Sequence, residues 1–151
     1  QDILEYTDTS FDELFEKFGR KISTLILSLT KTKLVIDTSD DSTLSLTKKR
    51  TVSKKQRQKE YGIKIKESEI DAKLIKLCDI STNLGNLKNQ VISKTKKRRI
   101  LKELRYYTVI IEKDLIQNTR YPKANTLLET INENIKIQTQ NINKNKKIKL
   151  K

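Results

Sequence analysis

The 151-residue chain contains no His, no Met and no Trp, one Cys, one Pro and three Gly. Each shortage excludes something. Without His, and with a single Cys, the common ligand sets for zinc, haem and iron–sulfur clusters cannot be assembled. Ser-His-Asp and Cys-His catalysis fall with them. A lone Cys78 forms no disulfide within the chain. So few Pro and Gly residues exclude a low-complexity linker. Gly19, Gly62 and Gly85 stand isolated, so there is no Gly-rich phosphate loop. No run of 18 apolar residues occurs, so no segment reads as a membrane span. The expectation is a protein that is not an enzyme and needs neither metal nor cofactor.

What is abundant is charge. Charged residues make up 34% of the chain, hydrophobic residues another 34%, and the formal net charge is +14. Lys provides 26 of the 33 basic residues. Such a Lys-, Ile- and Asn-rich composition is what AT-rich codons produce, so part of the charge has a source other than a partner. The layout says more than the sum. Residues 1–46 carry a net −4, 47–66 a net +8, 67–90 a net −1, 91–123 a net +7 and 124–151 a net +4. An acidic start followed by basic blocks points to an anionic partner.

The apolar pattern has helical period. Phe11, Leu14, Phe15, Phe18, Ile22, Leu25, Ile26 and Leu29 recur at steps of three and four, which puts them on one stripe. The stripe predicts that all three Phe residues are core. Ser10 followed by Glu13 is a capping-box pattern, repeated as Thr126 with Glu129, and Ser68 with Asp71 resembles another cap. A heptad-like series runs through Ile70, Leu74, Leu77, Ser81, Leu84, Lys88 and Val91, with Gly85 as a candidate bend. Ile100, Leu104, Tyr107, Ile111 and Leu115 carry a further helix, and Pro122 disfavours helix at Tyr121. Leu128, Ile131, Ile135 and Ile142 share a face of the last one. The predicted fold is all-α, a compact bundle of three to five amphipathic helices. An extended coiled coil is the alternative packing. In 32–47, either the first helix runs on to about Ile36 and breaks at Asp40 and Asp41, or a small β-hairpin forms. The expected organisation is a single domain over 1–142 with a basic tail over 143–151.

The acidic groups have an ordinary explanation. Asp12, Glu13 and Glu16, and likewise Glu67, Glu69 and Asp71, sit where acids favour a helix N-terminus. Asp37, Asp40 and Asp41 lack the Gly and the distal Glu of a calcium loop. Cys78, beside the apolar stripe, reads as a small buried hydrophobe.

The basic clusters are the candidate site. Lys48, Lys49, Arg50, Lys54, Lys55, Arg57 and Lys59 form one. Lys94, Lys96, Lys97, Arg98, Arg99, Lys102 and Arg105 form the other, followed directly by Tyr106 and Tyr107. On a helix, Arg98, Lys102 and Arg105 share a face. Segments 53–58 and 145–150 resemble the pattern x-B-B-x-B-x of heparin-binding proteins, where B is basic, and 97–102 resembles the core of B-B-B-x-x-B. Acidic groups repeat along such a sugar chain, and cations along one edge meet them. In a chain this basic the six-residue pattern arises roughly once by chance. The same clusters suit nucleic-acid phosphates, although Lys outnumbers Arg and Arg does most base reading.

In size and composition the chain resembles the mature part of helical surface lipoproteins of spirochaetes, of the decorin-binding adhesin and complement-binding kinds. A start at Gln1 with no initiator Met fits a processed or truncated form. The resemblance implies a lipid-anchored cell-surface protein that binds host glycosaminoglycan, matrix protein or complement. The alternatives are a cytoplasmic nucleic-acid-binding protein contacting phosphates non-specifically, and a self-associating structural helical protein.

Overall fold

A computed structural model describes residues 2–31, 54–116 and 118–147. The described residues form six helices and no strand: α1 (Asp2–Tyr6), α2 (Phe11–Leu29), α3 (Lys54–Glu67), α4 (Ile70–Asn89), α5 (Lys94–Leu115) and α6 (Lys123–Lys147). The all-α bundle is therefore the fold. The candidate hairpin over 32–47 lies outside the described residues. The chain divides into two compact units, Gln1–Tyr61 and Gly62–Lys151, and α6 extends to Lys147.

In the first unit, α2 begins at the expected capping box. Ser10 Oγ accepts from the Glu13 N–H at 3.2 Å, and Glu13 Oε2 accepts from the Ser10 N–H at 2.8 Å. Each side chain satisfies a backbone donor that the first turn leaves open. α2 is kinked at Gly19, whose φ of 75° is the left-handed conformation that glycine tolerates best. The kink follows all three Phe residues and separates them from Ile22, Leu25, Ile26 and Leu29. Leu14 and Leu29 are buried, whereas Phe15 is 45% and Phe18 51% exposed, so the expectation that all three Phe residues are core is overturned. Ile22 is half-exposed as well. The helix stops at Leu29, short of Ile36: Thr30 is extended, and its N–H donates to the Leu27 carbonyl. Tyr61, on α3, is buried, and its hydroxyl donates to the Leu29 carbonyl at 2.7 Å.

In the second unit, α4, α5 and α6 pack on one another as an up-down-up bundle. Of the series that starts at Ile70, Leu77 and Leu84 are buried, and Lys73, Lys76, Ile80 and Leu87 complete the inner face in place of Ser81, Lys88 and Val91. The register differs because two lysines occupy inner positions. Val91 lies beyond the helix end and is fully exposed. Gly85 sits within continuous helix with open space around it, so the bend is at Gly19 instead. The cap residue of α4 is Glu69, and Ser68 Oγ donates backward to the Ile65 carbonyl, so the cap read at Ser68 is not formed. Thr126 is likewise no cap: α6 has already begun at Lys123, and the Thr126 carbonyl accepts from Thr130 Oγ1. Leu101, Leu104, Ile111 and Leu115 of α5 meet Leu128, Ile131 and Ile135 of α6 in the core. Each such side chain contributes about 1.5–3 kcal/mol of burial. Cys78 is exposed, contrary to the buried position expected of it.

Candidate functional site

The basic clusters fall in different units. Of the first, Lys48, Lys49 and Arg50 lie outside the described residues, and of Lys54 only the backbone, at the start of α3, is described. Lys55, Arg57 and Lys59 are exposed on α3. The second cluster is complete. Lys94, Lys96, Lys97, Arg98, Arg99, Lys102 and Arg105 occupy the first three turns of α5 with Glu103 as the only acid among them. Residues 62–151 carry 21 basic and 9 acidic groups, so this unit holds nearly all of the net charge.

The start of α5 reverses the usual charge preference. A helix N-terminus carries partial positive charge and favours acids. The first turn of α5 has none, and Lys94, Lys96 and Lys97 add to the positive end. Ser93 caps the helix by accepting from the Lys96 N–H at 3.2 Å. Among the described residues, Lys96, Lys97, Arg99, Lys102 and Arg105 enter no ion pair, whereas Lys73 and Lys76 on α4 are paired with Asp114 and Asp79. Asp114 and Asp79 thus serve the buried lysines, while Lys96, Arg99, Lys102 and Arg105 are exposed on α5.

The fold also brings the two ends of this unit's last helix pair together. Because α5 and α6 run antiparallel, the start of α5 lies beside the end of α6. Arg98 Nη2 donates to Asn143 Oδ1 at 3.2 Å across 45 residues of sequence. A pocket at this end is lined by Lys88, Lys94 and Lys97 together with Asn141 and Ile142. Arg98 and Arg105 lie on the side of α5 that adjoins α6.

Tyr106 and Tyr107, which follow the cluster directly, differ in exposure. Tyr107 is buried, and the Lys76 ammonium lies 5.8 Å from its ring centre. Tyr106 is partly exposed but lies against Gly62, where a Cβ would come within 2.6 Å of its hydroxyl oxygen. Gly62 therefore permits the close approach of the Tyr106 ring to the backbone at that position. At the other end of the bundle, Tyr121 donates its hydroxyl to Asp71, and Arg120 Nη1 lies 3.4 Å from the same carboxylate. That hydrogen bond, to a carboxylate that prefers the neutral phenol, raises the Tyr121 pKa above its ordinary value.

No group of His, Cys, Asp and Glu that could hold a metal ion occurs among the described residues. No helix among them is long and apolar enough to cross a membrane. What the second unit presents is a helical protein with a preformed cationic surface. No family model matches the chain, and no curated protein and no solved structure matches it either.

Proposed function

We propose that this chain is a non-enzymatic binding protein that engages an anionic macromolecule through the first three turns of α5 and the adjoining end of α6. The observation that carries this reading is that the first turn of α5 holds no acid while Lys96 and Lys97 add to its positive end. Cations there oppose the helix dipole, and an intrinsic helix-stabilising choice would place acids in the same positions. A polyanion reverses that penalty by supplying the missing negative charge.

Glycosaminoglycan is the leading ligand class, with an acidic surface on a matrix or complement protein as its protein counterpart. The spirochaete-lipoprotein resemblance supports a surface adhesin or immune-evasion role for such binding. Nucleic acid is the competing polyanion, because phosphate contacts need only Lys and Arg on one face.

The test is binding of heparin and of duplex DNA at several salt concentrations by the wild-type chain and by a variant with Lys97, Arg98, Arg99 and Lys102 changed to Gln. Heparin affinity should fall at least about tenfold, because charge-assisted hydrogen bonds are lost, and its salt dependence should flatten. Unchanged affinity overturns the site. Tight salt-sensitive binding to DNA with none to heparin overturns the glycosaminoglycan reading.

A further inference from the structure

The helical bundle leaves a furrow between α5 and α6 whose lining differs from the rest of the basic surface. Its volume is about 440 Å³, and Arg105, Val109 and Glu112 line it from α5, Asn132, Lys136 and Gln140 from α6. The α6 wall is one stripe, because Asn132, Lys136 and Gln140 recur at steps of four, and Asn143 continues the stripe beyond the furrow. The opposite wall carries Arg105 and Glu112, and Arg98, seven residues before Arg105 on the same line of α5, stands beyond the furrow's end. Two hydrogen bonds tie the walls together at the ends: Arg98 to Asn143 at 3.2 Å, and Asn132 Nδ2 to Glu112 Oε1 at 3.4 Å. Fourteen residues of α5 separate Arg98 from Glu112, a length of about 21 Å at the helical rise of 1.5 Å.

We propose that this furrow seats a linear anionic polysaccharide, with Arg98, Arg105 and Lys136 meeting its acidic groups and Gln140 and Thr139 its hydroxyls. The proposal rests on the anion-binding reading above and assigns the polymer and its seat. Three features select a sugar chain. Cations alternate along the furrow with uncharged amides and a hydroxyl, which suits a polymer that alternates acidic groups with hydroxyls. The floor is apolar, formed by Val109 and the buried Ile135, and can meet the C–H faces of sugar rings. None of the residues lining it is aromatic, so bases have no stacking platform of the kind that single-stranded nucleic acid uses. A double helix does not enter a furrow between two helices whose axes lie about 8–10 Å apart.

The cations are available. Arg105 forms no ion pair among the described residues, and Lys136 has only an exposed partner, Glu133, at 3.6 Å. The furrow is also polarised. Glu112 sits at the end away from Arg98 and repels the chain there, so binding is strongest from Arg98 to Lys136 and stops before Glu112.

The experiment measures binding of a heparin oligosaccharide and of single-stranded DNA of similar charge by the whole protein, with helix content checked by circular dichroism. Three variants are compared: Arg105→Gln with Lys136→Gln in the furrow, Lys113→Gln with Lys123→Gln outside it, and Glu112→Gln. The furrow pair should weaken heparin binding about tenfold or more. The outside pair, which removes the same charge, should change it less than about twofold, the size expected of screened surface charges. Glu112→Gln should tighten binding by about two- to threefold, the loss of a nearby like charge. Equal losses from the two double variants overturn the furrow while leaving a diffuse anion-binding surface intact. Binding of DNA in preference to heparin overturns the choice of polymer. Failure of the wild-type chain to bind either probe at low salt overturns the furrow together with the reading beneath it.

Discussion

Lys73 and Lys76 occupy positions on α4 where a simpler bundle would place Leu or Ile. They are only 6% and 5% exposed, yet neither leaves an unpaired charge inside. Lys73 reaches Asp114 at 2.6 Å and Lys76 reaches Asp79 at 2.7 Å, their stems lying along apolar surface while the ammonium groups find carboxylates at the rim. These pairs explain why the apolar series beginning at Ile70 found Leu77 and Leu84 but missed the inner positions of Lys73 and Lys76: a hydrophobicity pattern counts Lys as outward. Tyr121 is the residue-scale site with a pH signature. Its folded pKa is raised, so the folded state holds the phenol proton to higher pH than the unfolded chain does. The stabilisation is fully present below the ordinary value near 10 and is lost as pH rises through the folded value. Ultraviolet titration should show one phenol ionising later than an exposed tyrosine. Tyr121→Phe should remove that late phase and the matching alkaline loss of stability. A titration identical to wild type would contradict the Asp71 hydrogen bond.

At the scale of the element, α2 and α5 show how far periodicity reaches. In α2 the stripe was legible, and so was its capping box, because both depend on spacing along one helix. Which part of the stripe is covered was not legible. Gly19 interrupts the helix, so residues before and after it no longer share one continuous face. The consequence is measurable. Leu14→Ala should destabilise the protein by about 2–5 kcal/mol, the cost of emptying a fully buried site. Phe15→Ala, at a half-exposed ring, should cost only about 1–2 kcal/mol. Urea unfolding distinguishes them, and equal large losses would place Phe15 in the core after all. In α5 the cationic cluster was legible residue by residue. Its pairing was not, since the carboxylates that might have neutralised it come from other parts of the chain.

On the scale of the whole molecule, charge and fold are distributed unequally. The unit formed by residues 62–151 has the three mutually packed helices and nearly all of the net charge. A fragment of those residues should therefore bind heparin with an affinity within about threefold of the full chain, because the long-range attraction follows net charge. A fragment that is folded by circular dichroism yet fails to bind would move the site to the first unit, where Lys55, Arg57 and Lys59 lie on α3. The full chain should give a far-ultraviolet spectrum dominated by helix, and a strand-dominated spectrum would contradict the bundle.

The amino-acid sequence by itself determined the helical class, the capping box at Ser10, and the identity of the basic clusters. All three follow from interactions within a few residues of one another: backbone hydrogen bonds, side-chain caps, and the spacing of apolar and charged groups along one helix. The lack of His and the single Cys likewise limited the chemistry before any folding was considered. Tertiary structure alone decided which stripe of α4 faces inward, which carboxylates were spent on Lys73 and Lys76, and that the basic start of α5 meets the end of α6. Those outcomes depend on groups that are neighbours in space but tens of residues apart, as with Arg98 and Asn143. The net charge of +14 was visible in composition, but the furrow that gives it a direction exists only once α5 and α6 lie antiparallel.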